Sequence, residues 1–127
     1  MTANPNIMRP DVTALLERIT AFGADAVILA GNLGSRHRYI AAQLVRSATS
    51  VAANYAEACE AESANDFIHK MKVCLKELRE SSVWLRMVER VAPSDRGREL
   101  SAECSQLIAI FVTSVKTARR SVGRQRV

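Results

Sequence analysis

Apolar residues recur at every third or fourth position along most of the chain, which is the spacing of one face of an α-helix. This spacing predicts four helices, over about 11–31, 36–62, 64–91 and 96–118. No segment shows the alternation of polar and apolar residues that is typical of a β-strand. The cleanest helical repeat lies in the third segment and consists of Phe67, Met71, Cys74, Leu78, Ser81, Leu85 and Val88.

The connections between the predicted helices are short and carry helix-ending and helix-starting signals. Gly31–Gly34 is rich in residues that tolerate positive φ, and Ser35 after it is a candidate N-cap for the second helix. Ser63 followed by Asp66 resembles a capping box at the start of the third helix. Ala92–Gly97 contains proline and glycine and separates the third helix from the fourth.

Length and composition agree with a single helical domain. The chain has 127 residues, and its five glycines, three prolines and 5% aromatic residues leave little material for turn-rich β architectures. Short connections between long helices favour antiparallel neighbours. We therefore predict an all-α fold, an antiparallel up-down-up-down four-helix bundle over residues 1–118, followed by a basic C-terminal tail over 119–127.

Hydropathy and cysteine usage favour a cytoplasmic protein without a membrane partner. The longest uncharged stretch, Cys104–Val115, is too short to cross a bilayer, and the N-terminus shows no secretory signal. Three cysteines, Cys59, Cys74 and Cys104, form an odd number at wide spacings. They are interpreted as reduced thiols that pack like small hydrophobic residues, which excludes a disulfide scaffold and a zinc ribbon.

The net charge of +5 comes entirely from the C-terminal end. Residues 1–115 carry equal numbers of basic and acidic side chains, whereas 116–127 contain no acid. Such a segment is either a solubilising surface or an electrostatic arm for nucleic acid or another polyanion. Its basic residues are Lys116, Arg119, Arg120, Arg124 and Arg126.

The second predicted helix carries a polar stripe in addition to its apolar face. Helical spacing places Gln43 and Ser47 on this stripe, and small alanines surround it, which allows another helix to approach closely. We predict a hydrogen-bonded network that either fixes the register between two helices or lies in a subunit interface, with a ligand site as the least favoured reading. Its predicted members on the second and third helices are Arg46, Ser50, Asn54, Glu57, Glu77, Glu80 and Trp84.

Enzyme chemistry finds little support in the residue patterns. A di-iron bundle needs two Glu-x-x-His motifs, but the closest pattern is Asp66-x-x-His69 and the only other histidine is His37. No cysteine has a histidine close to it in the sequence, and Gly31-x-x-Gly34 lacks the lysine of a phosphate-binding loop. We therefore predict that the protein is not an enzyme and has no catalytic residue, no metal site and no cofactor.

Three segments carry a family resemblance. Arg46–Glu57 contains Ser-x-x-x-Asn-x-x-Glu, Ser63–Lys70 follows it, and Lys76–Leu85 contains Glu-x-x-Glu-x-x-x-Trp-Leu. In this order, over about residues 12–118, the chain resembles the bacterial four-helix bundle protein family. That family includes proteins encoded within intervening sequences of large-subunit ribosomal RNA genes, and the accessory variability determinant of diversity-generating retroelements is a relative.

This resemblance implies a ring-like homo-oligomer, a homopentamer with a basic surface. The retroelement relatives associate with a reverse transcriptase and bind nucleic acid, so one hypothesis is a nucleic-acid-binding accessory protein, with RNA or DNA and a reverse transcriptase as partners. The alternative is an oligomeric protein-interaction scaffold without a nucleic-acid role. Because the chain has few aromatic residues for base stacking, contacts to the nucleic-acid backbone are expected. The residues predicted to make them are Arg36, Arg38, Lys70, Lys72, Arg119 and Arg120.

Overall fold

The computed structural model describes residues 10–125 and contains only helices and turns over this range. The four helices are α1 (Pro10–Gly31), α2 (Arg38–Cys59), α3 (Ala64–Val91) and α4 (Asp95–Gln125), with a single 3-10 turn, Ser35–His37, before α2. The all-α prediction is therefore confirmed. None of these helices combines the length and the apolar character that crossing a membrane requires.

Consecutive helices pack against each other in antiparallel pairs. Between α2 and α3, the Ser81 hydroxyl donates to the Ser47 hydroxyl at 2.8 Å, and the Cys74 thiol contacts the Val51 carbonyl oxygen at 3.8 Å. Residue numbers thus rise along α2 as they fall along α3. α3 packs on α4 and α1 on α2, and a smaller contact between α1 and α4 closes the bundle.

The breaks after α1 and after α3 and the start of α3 lie where the sequence predicts them, whereas both ends of α2 depart from the prediction. The Ser63 hydroxyl accepts a hydrogen bond from the Asp66 backbone N–H at 3.0 Å, which caps α3 as the sequence predicts. Ser35 does not cap α2, because a 3-10 turn intervenes and α2 begins at Arg38. Gly34 before this turn has φ +76°, a conformation that glycine adopts without strain. α2 ends at Cys59, earlier than predicted.

One core runs through the bundle and includes the whole apolar repeat of α3 except its first member, Phe67, which is half-buried at the edge. Tyr55 on α2 and Phe111 on α4 pack edge to face with ring centroids 5.7 Å apart, so the core spans the bundle diagonal. The largest fully buried side chains come from all four helices and include Phe22, Leu44, Leu78, Leu85, Leu107 and Phe111.

α4 continues beyond its predicted end near residue 118 and remains helical to Gln125. Ala118 and Val122 extend the spacing of the buried Phe111 and Val115 and pack against the core. The apolar stripe thus persists under the cluster of arginines, and this persistence accounts for the longer helix. Most of the predicted tail is consequently the last turns of a bundle helix, while 126–127 lie outside the described residues.

Candidate nucleic-acid interface

The basic end of α4 forms an exposed helical surface. Lys116, Arg119, Arg120 and Arg124 are all exposed, and their positions confine them to about 140° of the helix circumference. None of the four forms an ion pair with any residue between 10 and 125. Their positive charge is therefore fully available to a polyanion. Arg126 lies outside the described residues.

The remaining predicted contact residues differ in their surroundings. Arg36 and Arg38 are exposed beside the 3-10 turn, and Lys72 is exposed on α3. Lys70, by contrast, is partly buried and forms an ion pair with Asp66 at 3.3 Å. Around the helix axis, Lys70 lies about 160° from Lys72, so the two lysines are on different sides of α3.

The antiparallel fold divides the six predicted residues between the two ends of the bundle. Arg36 and Arg38 lie where α2 begins, whereas Lys70 and Lys72 lie just after the point where α2 has ended. A helix of the length of α2 spans about 33 Å, and most of this length separates the two pairs. Arg119 and Arg120 share the second end, because α4 runs back toward it. The six residues therefore do not form one patch on a single chain.

A longer basic surface lies along the outside of α3 and includes residues that the sequence prediction omitted. Each of its members follows a member of the apolar repeat by five residues, a rotation of about 500° that points them about 140° away from the core. In the sequence, these residues can be found by counting five positions on from members of the apolar repeat. We call this set, whose members are all exposed, the α3 basic stripe: Lys72, Lys76, Arg79, Arg86 and Arg90.

Acidic residues on α3 do not neutralise the α3 basic stripe. Glu77 and Glu80 turn toward α2 and bind Arg46, with Arg46 Nη1 3.5 Å from Glu77 Oε2. Asp66 pairs with Lys70, and Glu89 is half-buried. Among the described residues, no ion pair reaches the stripe, so its five positive charges face solvent together.

The predicted polar network exists in a smaller form between α2 and α3. Arg46 bridges Glu77 and Glu80, and its Nε donates to Gln43 Oε1 at 3.3 Å. Trp84 Nε1 donates to Glu80 Oε1 at 3.3 Å. These contacts join charged and aromatic side chains at one edge of the helix pair.

Two buried hydroxyls form the centre of the contact between α2 and α3. Ser47 and Ser81 are fully buried and hydrogen-bonded to each other, and the Ser50 hydroxyl donates to the Ser47 carbonyl oxygen at 2.9 Å. Asn54 and Glu57 make no side-chain hydrogen bond or ion pair within residues 10–125. Antiparallel pairing places these two opposite the part of α3 around Met71, away from Glu77 and Glu80.

The outward side of α1 differs from the other outer surfaces. Residues 19–35 contain a single charged residue, Asp25. Val27 and Ile28 are 46% and 51% exposed on this helix. Arg18, its one cation in the described part of the chain, turns inward and binds Glu103 with Nη2 2.7 Å from Oε1. An outer helical face of this kind is typical of a surface that another protein covers.

An open groove of about 1000 Å³ lies at the end of the bundle where α2 ends. Apolar side chains from α1 and α3 line much of it, among them Leu15, Phe67 and Met71. α4 contributes small residues such as Ser114 and Ala118, and none of its basic residues faces the groove. The groove and the basic surface are therefore separate features.

The three cysteines are buried inside the bundle. Burial raises the pKa of the Cys74 thiol to about 12 and that of Cys104 to about 12, and it also raises the pKa of Cys59. At neutral pH these thiols are protonated, a form that is poorly nucleophilic. No group of three or more His, Cys, Asp and Glu side chains within residues 10–125 is arranged to hold a metal ion.

Comparison with known proteins finds one family model and a solved structure that are similar to this chain. The model of a family described as 23S rRNA-intervening sequence protein matches residues 20–113. A crystal structure of a protein with unknown function, from the S23 ribosomal protein family of Bacteroides thetaiotaomicron VPI-5482, has the same fold with a TM-score of 0.75. It is 25% identical to this chain, and the alignment covers 83% of this chain and 97% of that protein. Among curated proteins, none matches the chain significantly.

Proposed function

This chain belongs to the 23S rRNA-intervening sequence protein family, and we propose that it is a non-enzymatic protein that binds the backbone of RNA or DNA. The observation that carries the proposal is the basic end of α4. Four exposed cations, Lys116, Arg119, Arg120 and Arg124, lie on one side of a packed helix without an acidic partner in the described chain. Arginine guanidinium groups bind phosphate through two parallel hydrogen bonds, and three of the four residues are arginines.

We further propose that the functional form is a homo-oligomeric ring, a pentamer as the family resemblance implies. The outer side of α1 supports self-association, because it exposes Val27 and Ile28 and presents no exposed cation between Glu17 and Gly31. A ring that buries α1 leaves the basic sides of α3 and α4 for nucleic acid. It also repeats them around the assembly, which strengthens binding to a long polyanion.

The resemblance to the retroelement proteins extends this proposal to a protein partner, a reverse transcriptase that acts on the same nucleic acid. The competing function is an oligomeric scaffold that binds proteins alone. Tyr39 is the feature that favours it, since the residue is 70% exposed and its ring packs edge to face on Trp84, with centroids 6.1 Å apart. Exposed aromatic side chains of this kind are enriched in protein interfaces.

Fluorescence anisotropy with a labelled RNA stem-loop and a labelled DNA duplex, titrated at several salt concentrations, tests the proposed function. We expect submicromolar binding at about 50 mM salt that weakens steeply as salt increases, because phosphate contacts release counterions. Replacing Arg119 and Arg120 together by glutamine should weaken binding about tenfold. Arg98→Gln is the matched control, because it removes a cation from the same helix that is already paired with Asp95.

Absence of binding by the wild-type protein at this low salt concentration would exclude the nucleic-acid role and leave the scaffold. Substitution is preferable to deletion of the C-terminal residues. A chain ending at Val115 loses Ala118 and Val122, which pack against the core, so deletion changes stability together with charge.

A further inference from the structure

The α3 basic stripe is a straight row of charges along one rigid helix. Its first and last members, Lys72 and Arg90, are 18 residues apart, which corresponds to about 27 Å along the helix axis. Neighbouring members are three or four residues apart, except across the interval that contains Val83. Val83 lies on the same line and is 46% exposed. The opposite side of α3 is buried along its whole length, so packing against the core fixes the position of the row.

The charge pattern of this row differs from that of an ordinary solvated helix face. Solvated faces usually alternate acidic and basic residues four positions apart, because such pairs attract. Here Lys72 and Lys76 are four apart and repel each other, and so do Arg86 and Arg90. The acids that could relieve this repulsion, Glu77 and Glu80, bind Arg46 on the other flank of α3. The exposed cations of the row repel each other weakly in solvent, and an anionic partner relieves this repulsion.

We propose that the α3 basic stripe binds the phosphate backbone of double-helical nucleic acid. This inference rests on the proposed function and assigns it a second surface and a class of ligand. A duplex has one phosphate per strand every 3.4 Å of axis, so about 27 Å of duplex carries roughly eight phosphates on each strand. Because the strands wind around the axis, only those on the near side face the stripe, and the rigid helix presents its cations to them without losing much conformational freedom.

The residue types of the α3 basic stripe favour binding of a duplex over binding of a single strand. Proteins that hold single strands stack the bases on aromatic side chains, but the stripe contains lysines, arginines and Val83. Its three arginines, Arg79, Arg86 and Arg90, can each make a bidentate contact with phosphate. Contacts to phosphate alone carry no sequence information, so duplex binding through the stripe is independent of base sequence.

The test compares the full-length wild-type protein with a variant in which Lys76, Arg79, Arg86 and Arg90 are all replaced by glutamine. Anisotropy is measured with a labelled duplex of about 16 base pairs and with one of its strands alone, over a range of salt concentrations. We expect duplex affinity to fall at least tenfold. The slope of log affinity against log salt should decrease by about 3.6, since each phosphate that is no longer neutralised accounts for about 0.9. Affinity for the single strand should change less than threefold.

Arg98→Gln is the control, because it removes one charge from α4, which packs on α3, at a residue that is already paired with Asp95 and lies off the stripe. It should leave duplex affinity unchanged within twofold. All four stripe residues are exposed, so the quadruple variant should keep its helical circular dichroism and its melting temperature.

Three results would overturn the inference. If the quadruple variant keeps the wild-type affinity and salt slope while Arg119→Gln with Arg120→Gln loses binding, the α3 assignment is wrong and the proposed function stands. Equal losses for the duplex and the single strand would refute the selection of duplexes. If the wild-type protein binds neither probe, both proposals fail.

Discussion

The outer sides of α1 and α3 are opposites, although both helices bury an apolar face in the same core. α1 exposes Val27 and Ile28 and has one charged residue between positions 19 and 31, whereas α3 exposes five cations along a single line. Bundle packing constrains only the inner sides, so it accounts for neither outer pattern. The two proposals, self-association through α1 and binding of a polyanion through α3, each account for one of these outer patterns.

The first prediction tests whether the inner sides of the two helices are equivalent. Phe22 on α1 and Leu78 on α3 are fully buried. Phe22→Ala should destabilise the protein by about 3–5 kcal/mol and Leu78→Ala by about 2–5 kcal/mol, because each leaves a cavity in the core. Urea denaturation followed by circular dichroism measures both. A loss below about 1 kcal/mol for Phe22→Ala would show that α1 is loosely attached to the bundle.

The second prediction addresses the outer side of α1. Ile28→Lys places a charge at the centre of the proposed subunit contact and should shift the assembly toward the single chain of 14.0 kDa. Light scattering after gel filtration measures the mass. Val83→Lys is the matched control, because Val83 is an apolar residue of similar exposure on α3 and lies among cations. It should leave the mass unchanged.

If wild-type protein already has the mass of one chain at micromolar concentration, the ring proposal is wrong. If the wild-type protein is a multimer and Ile28→Lys preserves its mass, subunits meet through a surface other than α1. After either result, self-association through α1 would no longer explain why the outer side of that helix is largely uncharged.

The third prediction concerns the contact that keeps acids away from the α3 basic stripe, and its expected effect is the smallest. Arg46→Ala leaves the partly buried Glu77 without its cation, and Glu77 Oε2 has no hydrogen bond within residues 10–125. We expect a loss of about 1 kcal/mol, because Arg46 is half exposed and its ion pairs are partly screened. Thermal melting measures this loss. Arg98→Ala, which breaks an exposed pair, should cost less than about 0.5 kcal/mol.

The buried faces of the helices were the part of the structure that the sequence predicts best. Spacing alone identified the repeat from Phe67 to Val88, because burial of a helix face imposes that spacing directly on the sequence. The end of α4 was harder to predict, since charges crowd the segment in which Ala118 and Val122 continue the apolar stripe. A local excess of arginine is typical of tails, but here it lies on the outside of a packed helix.

Contacts across helices were only partly predictable, because they depend on the register between α2 and α3. Arg46 meets Glu77 and Glu80 as helical spacing suggests, whereas Asn54 and Glu57 have no such partner within the described residues. Of the α3 basic stripe, only Lys72 was predicted as a contact residue, for a related reason. Its cations are interleaved in the sequence with Glu77 and Glu80, and only the helix separates the two sets onto different sides.

Chemical modification of the buried thiols can report slow local opening of the bundle. Cys74 contacts the Val51 carbonyl oxygen across the junction of α2 and α3, and Cys104 contacts the Leu78 carbonyl oxygen at 3.3 Å across the junction of α3 and α4. Since burial keeps both sulfurs protonated and away from solvent, a thiol reagent reaches either one only after its junction has opened. At reagent concentrations at which modification outpaces closing, the two modification rates, followed separately, therefore give the opening frequencies of two neighbouring helix pairs without an engineered cysteine.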